Sequence, residues 1–178
     1  MEVVQSSREF YNKYKDHFTH IISIACPGDD SIEPIHERHL VLKFWDIDKT
    51  LKNKFRKYEV VDEETIRETI ELAREWYLET IENDEPFQLL IHCDAGVSRS
   101  PALTLGVIWG ISELIFDDPQ DALLLREWLE ARKEWCITRI SEDCVSLRRF
   151  MAGRYNPGVI PNQAVLGYLR NGLMYFPW

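Results

Sequence analysis

Phe87-Gln88-Leu89-Leu90-Ile91-His92-Cys93-Asp94-Ala95-Gly96-Val97-Ser98-Arg99-Ser100-Pro101-Ala102 is the stretch on which the reading of this chain turns. It begins as an apolar run (Phe87, Leu89, Leu90, Ile91) of the kind that forms a buried strand. Small residues then carry the chain from Cys93 to Arg99. From Pro101 to Trp109 the pattern is that of a helix with proline in its first turn. A strand that turns through a short loop into a helix N-terminus gathers backbone N–H groups at one place, and the helix dipole favours negative charge there. A cysteine in such a field is held as a thiolate, its reactive form. The nonapeptide 92–100 therefore sets a nucleophile, Cys93, on the floor of an oxyanion cradle.

That arrangement suits attack on a tetrahedral phosphoryl group. Cys93 attacks phosphorus in line and forms a cysteinyl-phosphate, which water then hydrolyses. Arg99 grips two equatorial oxygens through its planar fork, a geometry that lysine cannot reproduce. Gly96 permits the backbone turn that aims amides inward. Ser100 sits where its hydroxyl reaches the sulfur and eases its departure in the second step. His92 is expected to orient the loop through hydrogen bonds to backbone carbonyls.

H-C-x-x-G-x-x-R-S at 92–100 resembles the signature of the cysteine-dependent protein tyrosine phosphatase superfamily. Asp94-Ala95-Gly96-Val97-Ser98 is similar to the loop of its dual-specificity branch. Further out, Leu42-Lys43-Phe44-Trp45-Asp46-Ile47 resembles the strand-plus-aspartate segment of compact bacterial and viral members. Ile160-Pro161-Asn162 resembles the Pro-Asn that precedes the family's last helix. The resemblance implies a shallow twisted sheet flanked by helices and phosphomonoester hydrolysis without a metal or other cofactor. It also implies a phosphate-binding loop made of Asp94, Ala95, Gly96, Val97, Ser98 and Arg99.

Elsewhere, strands and helices alternate. Ile21–Cys26 reads as a buried strand closed by Pro27-Gly28, and His39–Trp45 as a second strand closed by polar residues. A basic segment, Lys52–Lys57, follows. Asp62 to about Glu82 is a strong amphipathic helix, with Ile66, Ile70, Ala73 and Tyr77 on one stripe and Trp76 and Ile81 beside it. Asp84-Glu85-Pro86 ends it. A charged helix is expected from about Gln120 to Trp135, another over Ser141–Met151, a loop over Tyr155–Asn162 and a short helix over Gln163–Arg170. The fold class is α/β, a central, mostly parallel twisted sheet flanked by helices. A single domain is expected over 1–178, with a helical insertion at about 118–137.

Expelling a tyrosyl or seryl oxygen calls for a proton donor upstream of the cysteine. Asp46, directly after a strand, is the first candidate. Asp48 shares its loop and could exchange roles with it. Asp62 is nearer to Cys93 in sequence, but it opens a helix and is explained by N-capping.

Bulk properties narrow the partner. The chain has 178 residues, 45% hydrophobic and 29% charged, with net charge −9. Such an acidic balance argues against a nucleic-acid surface or an anionic membrane, where Lys and Arg must gather. The four cysteines show no metal-ligand spacing. With no signal-peptide pattern and no membrane-length apolar run, a cytoplasmic, reducing setting is expected. No lysine lies within the loop, and Asp94 would repel a second phosphate, so a phosphorylated protein is the expected substrate. Phosphotyrosine comes first, with phosphoserine and phosphothreonine beside it. Phe44, Trp45 and Tyr155 are candidate aromatics for the mouth, although core packing accounts for each as well. The alternatives are a phosphatase of a phosphoinositide or an RNA 5′ phosphate, and a phosphate-binding module without turnover.

Overall fold

The structure is a computed structural model, and it describes residues 1–46, 61–115, 136–141 and 154–156. In chain order its elements are β1 (Glu2–Ser7), α1 (Arg8–Tyr14), a 3₁₀ turn (Lys15–His17), β2 (His20–Ala25), β3 (His39–Lys43), α2 (Glu63–Glu82), β4 (Gln88–Cys93), α3 (Arg99–Ile115), β5 (Cys136–Ser141) and β6 (Arg154–Asn156). They form one six-stranded sheet in the order β3-β2-β4-β1-β5-β6. The first four strands in that order run parallel, and β5 and β6 add antiparallel at the far edge. The expected α/β class and mostly parallel sheet are therefore what the chain adopts.

Strand alternation sorts the core onto two faces. Ile22, Ile24, Leu89 and Ile91 face α2 and α3 within the larger cluster, together with Ile66, Ile70, Ala73, Trp76, Tyr77, Leu103 and Ile108. Ile21, Leu90 and Val4 face the other way, against Tyr11 of α1. α3 is apolar nearly all round because it is buried nearly all round. α2 keeps one buried stripe. The Asp62 carboxylate accepts the Thr65 N–H at 2.7 Å and caps it, which accounts for this aspartate as the sequence context implies. Its other end stops at Asp84, whose φ of +54° takes it out of the helix, and the Glu85 N–H returns to the Thr80 carbonyl at 2.9 Å. Ile81 departs from its expected neighbourhood: it is 54% exposed, while Thr80 is buried. At 3.6 residues per turn the stripe passes from Tyr77 to Thr80 and leaves Ile81 about 100° round the helix.

α2 and α3 cross at Gly110. A β-carbon there would land on Ile70 Cγ2, and Arg74 Nη1 donates to the Gly110 carbonyl at the same crossing. Gly110→Ala is expected to overpack this contact and cost about 1–3 kcal/mol. The measurement is the urea midpoint, which should fall at constant slope; an unchanged midpoint would show that the helices part freely.

Four elements differ from expectation. β1 and α1 have no counterpart in the sequence reading, because Glu2-Val3-Val4-Gln5-Ser6-Ser7 mixes two valines with polar residues. Its stability comes from central placement between β4 and β5. Residues 136–141, expected as the end of the insertion and the start of a helix, form β5. Its β-branched run of Ile137, Thr138 and Ile140 was the available signal. Tyr155 and Asn156, expected in a loop, belong to β6. The rest of the insertion, the expected helix beyond Ser141, the Pro161-Asn162 loop, the final helix, Asp48 and the Lys52–Lys57 segment lie outside the described residues. Among the described residues, no helix is long and apolar enough to cross a membrane, and no cluster of His, Cys, Asp or Glu could hold a metal ion.

Candidate active site

Parallel pairing brings four strand ends to one edge of the sheet. Ser7 and Ile24 are the register partners of Cys93, and Ala25 is the partner of Lys43. The residues just past those ends are Arg8, Cys26, Asp94 and the Phe44-Trp45-Asp46 segment. Carboxyl edges of parallel sheets are where such folds bind ligands, since loops and helix N-termini converge there.

The loop from Asp94 to Ser98 curls over the Cys93 sulfur. The Gly96 N–H donates to Sγ at 3.3 Å, and the Ser100 hydroxyl lies 3.2 Å from the same atom. Ser100 has one proton for two acceptors, Cys93 Sγ and the Ser6 carbonyl, each at 3.2 Å. Cys93, Arg99 and Ser100 are all buried. Gly96 has φ +71°, and a β-carbon on it would sit 2.7 Å from Ser6 C and Ser7 N. It is glycine both for its left-handed backbone and because β1 passes directly against it. Gly96→Ala is expected to fold with a stability loss of about 1–2 kcal/mol from the backbone alone. Turnover should fall steeply as the amide is pushed off the sulfur. Parallel measurements of urea midpoint and kcat separate the two effects, and an unaltered kcat would count against the cradle.

Arg99 is drawn to the loop from several sides. Its Nη1 donates to the Phe44 carbonyl at 3.0 Å and lies 3.6 Å from Cys26 Sγ, while Nη2 reaches Asp94 Oδ2 at 2.6 Å. Its Nε is buried without a hydrogen-bond partner among the described residues. Burial opposes the charge, but the Asp94 hydrogen bond and the nearby Cys93 and Cys26 sulfurs outweigh it and raise the Arg99 pKa. The guanidinium therefore stays charged beside the sulfur with its Nε–H still to be satisfied, which an incoming oxyanion can do.

Two contributors lay beyond sequence reasoning. Gln5 Nε2 donates to the Gly96 carbonyl at 2.7 Å and to Ser100 Oγ at 3.2 Å, tying both ends of the loop to β1. Arg8 Nη2 reaches Asp94 Oδ1 and Asp29 Oδ2, each at 2.6 Å. Hydrogen bonds from the Ser31 hydroxyl and amide, and from Arg8, hold the Asp29 carboxyl well below the usual carboxylate range. Neither residue carries a motif; the only trace is a glutamine at an inward position of a strand.

Asp46 comes to the rim, where the Ser98 hydroxyl donates to its Oδ1 at 2.7 Å. Val97, 43% exposed, stands on the same rim. Phe44 is core, Trp45 is half-buried, and Tyr155 has no described side chain. His92 turns to the opposite face of the sheet, where Tyr11 stacks on its ring at 4.2 Å and Ser23 Oγ lies 2.6 Å from Nε2.

No family model matches the chain, and no curated protein matches it at the level of sequence. Solved structures do. The Yvh1 phosphatase domain from Chaetomium thermophilum superposes with a TM-score of 0.50 at 16% identity, over 97% of this chain and 89% of that one. The chain has the fold of the cysteine-dependent tyrosine and dual-specificity phosphatases. Two further solved structures are similar to it. OH1 from the Orf virus, a tyrosine phosphatase, matches at 16% identity and TM-score 0.46, over 94% of this chain and 79% of that one. The human tyrosine phosphatase-like serine/threonine/tyrosine-interacting protein matches at 17% and 0.47, over 97% and 88%. At 16% identity the likeness to the Yvh1 domain is one of fold.

Burial also makes this phosphatase fold acid-sensitive. His20, His39 and His92 are buried, and burial pushes each down to about 4 from an ordinary 6.5; nearby positive charge, Arg38 beside His20 above all, adds to it. Between those values the unfolded chain binds protons that the folded protein does not. Stability therefore falls as pH drops through that window, by about 1.4 kcal/mol per unit for each histidine. Urea titrations at about pH 7 and about pH 5 should show the lower midpoint in acid. A midpoint that rises in acid would contradict the neutral assignment.

Proposed function

We propose that the chain is a single-domain, cytoplasmic protein phosphatase. It hydrolyses phosphotyrosine, and phosphoserine and phosphothreonine as further substrates, through a cysteinyl-phosphate. The observation that carries this reading is the donor set around Cys93. An amide (Gly96) and a hydroxyl (Ser100) point at the sulfur, and a charged arginine with an unpaired buried Nε–H stands beside it. Such preorganised donors stabilise both a thiolate and the charge of a transferring phosphoryl group.

In the first step Cys93 Sγ attacks phosphorus, the P–O bond to the substrate breaks, and Asp46 delivers a proton to the departing oxygen. In the second, the Asp46 carboxylate takes a proton from water as its oxygen attacks phosphorus. The S–P bond then breaks and Sγ leaves as a thiolate, met by the Ser100 hydroxyl. Arg99 holds the equatorial oxygens throughout.

The rim supports a protein substrate. Arg8 is held by Asp29 and Asp94, and Lys43 by Asp30, so these two cations near the loop among the described residues are already paired. A substrate bearing several phosphates would meet carboxylates there. The test is vanadate-sensitive hydrolysis measured on p-nitrophenyl phosphate, phosphotyrosyl and phosphoseryl peptides, phosphoinositides and 5′-phosphorylated RNA. The phosphotyrosyl peptide should show the highest kcat/KM. Hydrolysis confined to the lipid or the RNA would overturn the substrate class, and phosphopeptide binding without any hydrolysis would overturn the enzyme.

A further inference from the structure

On the α1 side of the sheet a buried polar chain runs from the β2–β3 connection to the phosphate loop. It starts at the Ile35 amide, which lies 3.1 Å from His39 Nδ1. A backbone N–H can only donate, so Nδ1 of His39 accepts and carries no proton. Neutral His39 then holds its proton on Nε2, which stands 2.7 Å from Ser23 Oγ. Receiving a hydrogen bond from His39, the Ser23 hydroxyl directs its own proton at His92 Nε2, 2.6 Å away. Nε2 of His92 accepts as well, and its proton is left on Nδ1. Each link leaves the next one direction.

We infer that Ser23 and His39 are positioning residues for the phosphate loop: together they fix the proton of His92 on Nδ1, the nitrogen that borders the Cys93 backbone. Pairing sets the geometry, since Ser23 is the register partner of His92, and His39 is that of Ile21. All three side chains are buried, and the stacked Tyr11 ring covers His92. Burial keeps both imidazoles neutral, as the directional argument requires. Nδ1 of His92 is buried with no hydrogen-bond partner among the described residues, while the neighbouring Cys93 backbone favours the protonated ring. In this inference the acceptor for that proton is the Cys93 backbone, from which the loop springs. In a neutral histidine the partner of one ring nitrogen sets the role of the other.

The role of this loop in catalysis rests on the phosphatase reading, but the tautomer does not. Long-range ¹⁵N–¹H correlation spectra of the histidine-labelled protein near neutral pH, assigned with His92→Gln, should show His92 protonated at Nδ1 and His39 at Nε2. A proton on Nε2 of His92 in the wild-type protein overturns the inference whatever the variants do. Ser23→Ala and His39→Leu should each let an Nε2–H form of His92 appear. Both should slow iodoacetate alkylation of Cys93 by roughly tenfold, the scale on which an orienting partner acts through the residue it holds. His39→Gln keeps a donor at the Nε2 position and should retain the wild-type rate. Unchanged alkylation in both Ser23→Ala and His39→Leu overturns the positioning role. Absence of phosphoester hydrolysis in the wild-type protein, with the expected tautomers present, overturns the phosphatase reading and leaves this one standing.

Discussion

Cys93→Ser is expected to lower turnover of phosphotyrosyl peptides by about 10⁶-fold, the scale observed when a catalytic nucleophile is removed. The physical reason is ionisation. A thiol is a far stronger acid than a hydroxyl, so a serine at this position cannot supply an anionic nucleophile. The substitution changes one atom and spares the donors. The Gly96 N–H, the Ser100 hydroxyl and the Arg99 guanidinium remain to receive a phosphoryl group. The variant should therefore bind substrate and fail to release it as product. Incubated with phosphotyrosyl, phosphoseryl, lipid and RNA ligands, it should retain the phosphotyrosyl ones, and vanadate should displace them. Residual turnover within a hundredfold of wild type would remove Cys93 from the mechanism.

Asp46→Asn should cost about 10²–10⁴ in kcat on phosphotyrosyl substrates, the range of general acid catalysis. Its signature is dependence on the leaving group. A phenolate such as p-nitrophenolate departs with little help, so hydrolysis of p-nitrophenyl phosphate should fall far less than hydrolysis of phosphotyrosine. The geometry supplies a control in Ser98, whose hydroxyl holds Asp46 Oδ1 at 2.7 Å. Ser98→Ala keeps the carboxyl and loosens its place at the rim. It should show the same leaving-group pattern at roughly tenfold, since the carboxyl must lie within hydrogen-bond reach of the oxygen it protonates. Equal losses on both substrates in Asp46→Asn would assign Asp46 to the rim's structure and not to proton transfer.

The candidate site was legible to different depths in different residues. Cys93, Gly96, Arg99 and Ser100 form a local pattern; the structure brings Gly96 and Ser100 to the Cys93 sulfur and folds Arg99 back onto Asp94 and Phe44. Asp46 was reached by its place after a strand, and the structure sets it at the rim, where Ser98 donates to it. Asp94 was read as a repelling charge; it is also a ligand of two arginines, Arg8 and Arg99. Gln5 and Arg8 were not reached at all, because nothing in their neighbourhood along the chain refers to the loop.

By itself the sequence determined the elements whose causes are local. Apolar runs marked β2, β3 and β4, and a capping aspartate and a 3.6-residue stripe marked α2; residue spacing in the 92–100 loop is what the proposed chemistry was read from. Only the tertiary structure decided what those elements meet. Parallel pairing of β1 and β2 on either side of β4 places Ser7 and Ile24 level with Cys93 and so carries Gln5, Arg8 and Ser23 in from distant parts of the chain, while β3, paired to β2, sets His39 against Ser23. Helix periodicity and caps are written within a few residues. Strand order and register are settled by the whole sheet at once, so the side chains they bring together leave no spacing in the sequence to be read.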